Sequence, residues 1–262
     1  MNRLQKVFRD LKVKNEKAFV PYIMAGDGGL HALMERIVFL EKCGVTAIEI
    51  GIPFSDPVAD GPIIQQAGIR SLRAGTTLKG VLDTLRDIRP IIATPLIIMS
   101  YMNPIYAYGL HNFIEDAGKS GVDGFIIPDL PIEEEDLIAP VIERAGMELI
   151  RLATLTSTKE RIEEISSRGK GFLYAVTVTG ITGSRNQFDG EVGPYLQKLK
   201  EISPIPVLAG FGISTPEQAK RMGQYCDGVV VGSKIVELLH EEKFNEVEAL
   251  IRDSKMVEIT SK

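Results

Sequence analysis

Short apolar runs alternate with segments of helical periodicity along almost the whole chain, and this alternation limits the fold more than any other feature. The pattern predicts buried strands at 18–24, 47–50, 95–101, 124–127, 148–153, 171–176, 206–209 and 228–231. It predicts helices at 30–43, 62–74, 78–88, 110–119, 133–145, 159–167, 192–202 and 215–222, with further helices in the C-terminal region. Eight strand–helix units in 262 residues favour a closed parallel barrel over an open doubly wound sheet, which usually has about five or six strands.

The ends of this series also fit a barrel. Leu4, Val7, Phe8 and Leu11 fall at helical spacing, which predicts an amphipathic helix that caps an apolar surface. No linker or low-complexity segment interrupts the units, whereas Asn103-Pro104 is expected to stop the third strand. We therefore predict one α/β domain over residues 1–262, a (β/α)8 TIM barrel with an N-terminal capping helix, whose site lies at the carboxyl ends of the strands.

The second predicted strand places an acid where acids are costly. Glu49 shares one strand face with Ala47, and the strand breaks at Gly51 into an irregular segment that ends at Pro62 and carries Asp60. We expect Glu49 to be half-buried, with a raised pKa that allows proton exchange near neutral pH, and Asp60 to stay ionised on its loop. The alternative is that Glu49 pairs with a Lys or Arg and that the Asp residues only form turns before the helix.

Three glycine-rich turns follow the last three predicted strands, at 179–184, 210–214 and 232–233. Glycine lets the backbone approach an anion closely, and Ser233 would begin a short helix whose N-terminus carries partial positive charge. One such turn is weak evidence, because left-handed turns also need glycine. Three of them after strands six to eight predict a phosphate site, since this is where barrels bind phosphate.

Composition excludes several classes of partner. The chain has 30 basic and 35 acidic residues, a net charge of −5 and no concentrated basic run, which argues against nucleic acid and anionic membranes. Cys43 and Cys226 lie far apart, as expected of reduced core thiols, and the three histidines lack metal-ligand spacing. The first residues contain no apolar signal core. We expect a soluble cytoplasmic protein that binds a small molecule and needs no metal.

The segment Glu-Ile-Gly-Ile-Pro-Phe-Ser-Asp-Pro-Val-Ala-Asp-Gly-Pro, residues 49–62, closely resembles the signature of the tryptophan synthase alpha subunit family. The three glycine-rich turns are also similar to that family, and the resemblance spans nearly the whole chain. Tyr22 stands where many relatives have Phe, and Gly28 follows Asp27 where Pro is frequent. These departures concern the shape of the substrate pocket and not the class of reaction.

The resemblance implies a retro-aldol cleavage of indole-3-glycerol phosphate to indole and glyceraldehyde 3-phosphate in L-tryptophan biosynthesis, with no cofactor. It also implies a beta-subunit partner, in an alpha2beta2 assembly. Glu49 would move the protons and ionised Asp60 would hydrogen-bond the indole N–H group. Other residues that the resemblance assigns to the substrate are Thr182, Gly183, Gly212, Gly232 and Ser233 around the phosphate, Tyr22 and Phe211 at the indole pocket, Tyr174 near Glu49, and Tyr101 and Asp129 as supporting groups.

Three alternatives stay open at this point. An isomerase or epimerase of sugar phosphates would share the phosphate turns but not this pair of acids. A regulatory subunit would bind the ligand without turnover. The chain could also release indole by itself, as a stand-alone lyase. For Tyr174, the simpler interpretation is a core aromatic residue whose hydroxyl is satisfied.

Overall fold

The computed structural model describes residues 1–177, 188–210 and 212–255. Eight parallel strands form a closed barrel in chain order, which confirms the predicted fold class. The strands are β1 (Ala18–Met24), β2 (Ile48–Gly51), β3 (Leu96–Met99), β4 (Gly124–Ile126), β5 (Glu148–Thr154), β6 (Leu173–Val176), β7 (Val207–Gly210) and β8 (Gly228–Val231). The helices are α1 (Arg3–Lys14), α2 (Leu30–Lys42), α3 (Pro62–Arg73), α4 (Leu78–Ile88), α5 (Met102–Tyr108), α6 (Leu110–Lys119), α7 (Ala139–Arg144), α8 (Lys159–Arg168), α9 (Phe188–Ile202), α10 (Pro216–Gly223), α11 (Ser233–His240) and α12 (Phe244–Lys255).

Alternating side chains of each strand divide the core into two parts. Ile48 and Ile50 belong to the large apolar layer between the barrel and its helices, whereas Ala47 belongs to the cluster inside the barrel. Glu49 shares the parity of Ala47 and therefore faces the interior. The period-two pattern of the sequence thus places the acid on the correct face.

Helix α1 closes the amino-terminal end of the barrel, as the sequence predicts. Leu4 and Phe8 are buried in the inner cluster, and the Phe8 and Phe172 ring centroids are 5.5 Å apart. Polar contacts hold the rim of this cap: the side-chain amides of Asn2 and Gln5 both donate to Glu148 Oε1, at 2.6 and 2.7 Å. The opposite end of the barrel therefore carries the loops that can reach a substrate.

Two predicted elements differ from the structure. The segment 133–145 forms a 3₁₀ helix, Glu135–Leu137, and then the short helix α7, because Pro140 favours a helix start at that point. Asn103-Pro104 was expected only to stop β3, yet it lies in the first turn of α5, where a missing N–H costs nothing. Burial of Met102 and Ile105 stabilises that turn. In the described ranges, every helix is too short or too polar to cross a membrane.

Candidate active site

Glu49 lies inside the barrel near the carboxyl end of β2. Its side chain is more buried than expected, with 4% of the residue exposed, and its Oε2 atom has no hydrogen-bond partner among the described residues. Burial, together with the charge of Asp60, raises the pKa of Glu49 to about 8. Within the same residues no Lys or Arg pairs with this carboxyl group, so the proposed structural ion pair is absent there. Glu49 can therefore hold a proton at neutral pH.

Asp60 lies in the loop between β2 and α3, and it is far less exposed than the sequence suggests, at 8%. Burial raises the pKa of Asp60 to about 6, although the hydrogen bond from Tyr101 opposes this shift. The pKa is raised because this loop folds back onto the barrel. At pH 7 Asp60 is mainly ionised, whereas Glu49, which has the higher pKa, is mainly protonated.

Tyr101 fixes the position of the Asp60 carboxylate. Its hydroxyl donates to Asp60 Oδ1 at 3.1 Å and accepts the N–H of Ala59 at 3.0 Å. The side-chain amide of Gln65, in the first turn of α3, donates to the backbone carbonyl of Asp60 at 2.9 Å. Sequence reasoning missed Gln65, and no motif distinguishes it from a surface residue at the start of a helix. These contacts hold the loop and its carboxylate in place.

Asp129 lies behind Tyr101. Both of its carboxylate oxygens accept the backbone N–H of Met102, at 3.0 and 3.2 Å, at the N-terminus of α5. A carboxylate there satisfies a helix N–H group and interacts favourably with the helix dipole. The structure therefore places Asp129 where it orients the residue that follows Tyr101.

Tyr22 and Tyr174 project into the barrel from β1 and β6. Tyr22 pairs in register with Glu49 on the neighbouring strand. A Cβ atom added to Gly51 would lie 1.9 Å from the Tyr22 oxygen, and one added to Gly210 would lie 2.2 Å from the Tyr174 ring. Each phenol therefore lies directly on a glycine of the next strand, and any larger residue there would displace it.

Both tyrosines are buried in negatively charged surroundings. Burial is the largest cause that raises the pKa of Tyr22 well above its ordinary value, followed by the charges of Asp60 and Glu49. Burial and then the charges of Glu49 and Asp60 raise the pKa of Tyr174 in the same way. Both hydroxyls therefore keep their protons at neutral pH, which makes them neutral hydrogen-bonding groups beside two acids.

A cavity of about 850 Å³ runs from the mouth of the barrel, at Gly61, Gly212 and Ser233, to the outer side of β5, and its wall does not include the two acids. Gly212 has a φ of +78°, a conformation that favours glycine. Ser233 is the first residue of α11, and none of the described side chains caps this helix end. A Cβ atom added to Gly232 would lie 3.7 Å from Tyr22, so the helix start adjoins the tyrosine. Free N–H groups of α11 are therefore available near Tyr22 at the mouth of the barrel.

Three predicted site residues, Thr182, Gly183 and Phe211, lie outside the described residues. Of the remaining candidates, Tyr22, Glu49, Asp60, Tyr101 and Tyr174 come together inside the barrel, and Gly212, Gly232 and Ser233 lie at its mouth. The arrangement combines a proton-carrying acid, a second acid of lower pKa and a helix N-terminus that suits an anion.

Comparison with known proteins gives one consistent answer. The profile of the family described as tryptophan synthase alpha chain matches residues 8–261. A tryptophan synthase alpha chain from Bacillus mycoides (strain KBAB4) is 54% identical over 243 residues, which cover 93% of this chain and 94% of that protein.

Solved structures agree with the sequence relatives. A tryptophan synthase alpha chain from Legionella pneumophila superposes with a TM-score of 0.86 at 35% identity, covering 97% of this chain and 96% of that one. A protein from Aquifex aeolicus VF5 superposes with a TM-score of 0.89 at 34% identity, covering 97% and 98%.

Proposed function

This chain belongs to the tryptophan synthase alpha chain family, and we propose that Glu49 and Asp60 divide the work of its reaction between them. The reaction is the carbon–carbon lyase cleavage of indole-3-glycerol phosphate to indole and glyceraldehyde 3-phosphate in L-tryptophan biosynthesis. The observation that carries the assignment is Glu49, a fully buried carboxyl group whose pKa is raised to about 8 beside a second acid.

Glu49 starts the reaction in its protonated form. It gives its proton to the indole carbon that bears the side chain, which leaves positive charge on the ring and a carboxylate at Glu49. That carboxylate then accepts the proton of the hydroxyl on the adjoining side-chain carbon. As the hydroxyl becomes an aldehyde, the electron pair of the carbon–carbon bond returns to the ring. Glu49 ends protonated again, ready for the next turnover.

Asp60 acts through its charge. When the ring is protonated, positive charge develops at the indole nitrogen, and a carboxylate that accepts the indole N–H hydrogen bond stabilises it. The pKa of about 6 keeps Asp60 ionised at the pH at which Glu49 is still protonated. The hydrogen bond from Tyr101 holds Asp60 in position before the substrate arrives.

The phosphate of the substrate binds at the mouth of the barrel, at Gly212, Gly232 and Ser233. The free N–H groups at the start of α11 and the positive φ of Gly212 support this assignment. Thr182, Gly183 and Phe211 stay predicted contacts of the same substrate. Tyr22 and Tyr174 line the part of the site that holds the indole ring and the glycerol chain of the substrate. Asp129 supports the site through the start of α5.

The family implies a beta subunit as partner. We extend this to an alpha2beta2 assembly in the cytoplasm, in which the beta subunit docks at the strand-end face. No observation favours the isomerase, the stand-alone lyase or the regulatory subunit without turnover. The direct experiment is to incubate the purified chain with indole-3-glycerol phosphate, alone and with a beta subunit, and to measure indole release. Absence of indole in both mixtures would contradict the proposal.

The phosphate site has its own test. Ser233→Asp keeps a good helix start but places a negative charge where the phosphate would bind, so KM should rise at least about tenfold. Ser233→Asn, which has the same shape without the charge, is the matched control and should raise KM much less. Equal KM values for the two variants would show that the phosphate does not bind at α11.

A further inference from the structure

The interior of the barrel holds two unsatisfied polar atoms that face the same space. The Tyr22 hydroxyl and Glu49 Oε2 are both buried, and neither has a hydrogen-bond partner among the residues that the structure describes. A buried polar group without a partner costs about 1–3 kcal/mol, so two of them side by side require a reason. Tyr22, at 6% exposed, is otherwise a well-packed core residue.

The geometry aims the Tyr22 hydroxyl at the reacting region. Tyr22 and Glu49 are paired in register on β1 and β2, so both side chains enter the barrel at one level. The Tyr22 oxygen then lies over Gly51, the next interior position above Glu49 and the last residue before the loop that carries Asp60. The phenol oxygen therefore lies close enough to both acids for their charges to raise its pKa.

The two unsatisfied atoms are chemically complementary. The Tyr22 hydroxyl keeps its proton, since burial and two nearby negative charges raise its pKa, and it can therefore donate. Glu49 Oε2 can accept once the carboxyl group is ionised. A substrate hydroxyl can accept from the first and donate to the second, as neither the face of an aromatic ring nor a phosphate dianion can.

We propose that Tyr22 and Glu49 together bind the substrate hydroxyl that becomes the aldehyde oxygen, with Tyr22 donating a hydrogen bond to that oxygen while Glu49 removes its proton. This role rests on the proposed function of Glu49. As the proton leaves, negative charge develops on the oxygen, and the hydrogen bond from Tyr22 becomes stronger. Tyr22 is thus a catalytic residue that stabilises the transition state more than the bound substrate.

Tyr22→Phe tests this role because it removes only the oxygen atom. Because many relatives have Phe at this position, the reaction does not depend wholly on this hydroxyl, and we expect kcat to fall about tenfold while KM changes less than about twofold. The melting temperature should be equal to or above that of the wild type, because the lost hydroxyl had no partner to lose. Wild-type kcat in Tyr22→Phe would overturn the proposal.

Tyr195→Phe is the matched control. The Tyr195 hydroxyl is also buried, but it donates to the carbonyl of Ala153 at 2.7 Å, outside the barrel interior. Its removal should lower the melting temperature and leave kcat unchanged, which is the reverse of the Tyr22 result. If both variants lost only stability, Tyr22 would be a structural residue and the proposal would fail.

A ligand without the hydroxyl completes the test. Indolylpropyl phosphate keeps the ring and the phosphate but has no side-chain hydroxyl, so wild type and Tyr22→Phe should bind it with equal affinity. Weaker binding by the variant would mean that Tyr22 shapes the pocket instead, which contradicts the proposal.

Glu49→Gln is assayed in parallel with these variants. If it has lost turnover while Tyr22→Phe has not, only the role of Tyr22 is wrong. If Glu49→Gln keeps turnover, the proposed function of Glu49 fails as well.

Discussion

Two glutamates in this barrel are equally buried, at 4% exposed, yet their surroundings drive them in opposite directions. Glu49 faces the interior without a cationic partner among the described residues, and its pKa is raised to about 8. Glu135 lies outside the barrel, where it accepts from Arg151 at 2.7 Å and from Arg168 at 2.9 Å. Burial alone would raise the pKa of Glu135, but the hydrogen bonds from Arg151 and Arg168 outweigh it and lower that pKa.

The charged partner of a buried glutamate, and not its burial, decides whether the carboxyl group can exchange protons or stabilises the fold. Arg151 satisfies Glu135 and holds its negative charge permanently, so that carboxyl group cannot exchange protons near neutral pH. Near Glu49 the strongest charge is that of another acid, Asp60, which favours the neutral form. A buried glutamate therefore stabilises the fold at position 135 and carries an exchangeable proton at position 49.

The largest expected effect comes from removing the proton of Glu49. Glu49→Gln keeps the size of the side chain but cannot exchange protons, so kcat should fall by about a hundred- to ten-thousand-fold, with substrate affinity close to that of the wild type. Single-turnover indole release and equilibrium binding of glycerol phosphate measure the two quantities. A kcat within tenfold of the wild type would exclude Glu49 as the proton carrier.

The same substitution at the other glutamate should act on stability. Glu135→Gln leaves Arg151 buried with a neutral partner, which should lower the free energy of unfolding by about 3–5 kcal/mol in urea titrations. Turnover of the folded variant should stay within about threefold of the wild type, because Glu135 takes part in no proton transfer. A large loss of kcat at unchanged stability would remove the distinction between the two sites.

A smaller effect should appear in the pH dependence of kcat/KM. The rate should rise as Asp60 ionises, near pH 6, and fall as Glu49 loses its proton, near pH 8. Tyr101→Phe removes a hydrogen bond that lowers the pKa of Asp60, so the acid limb should move to higher pH by roughly half a unit to one unit. The alkaline limb should stay in place. If the acid limb did not move in Tyr101→Phe, that limb would reflect the ionisation of a group other than Asp60.

The sequence predicts the position of Glu49 and the fold that surrounds it. The alternation of β2 predicts that Glu49 faces the interior with Ala47, and the repeated strand–helix units predict the barrel. The burial of Asp60 was not predictable, because it depends on Tyr101, which is distant in sequence and reaches the loop from the end of β3.

Contacts between neighbouring strands were also beyond the sequence pattern. The approach of Tyr22 to Gly51 depends on the register between β1 and β2, which the period-two pattern does not fix. Local rules likewise missed helix α5, since Pro104 breaks a helix in its interior but not in its first turn.

One titration compares the two glutamates directly. In protein labelled with ¹³C at the glutamate side-chain carboxyl groups, the signals of Glu49 and Glu135 can be assigned from the spectra of Glu49→Gln and Glu135→Gln. We expect a midpoint near pH 8 for Glu49 and a midpoint below the ordinary value of 4.5 for Glu135 in the same sample. If Glu49 titrated at or below 4.5, it would be ionised at neutral pH and could not protonate the indole ring, which would contradict the account.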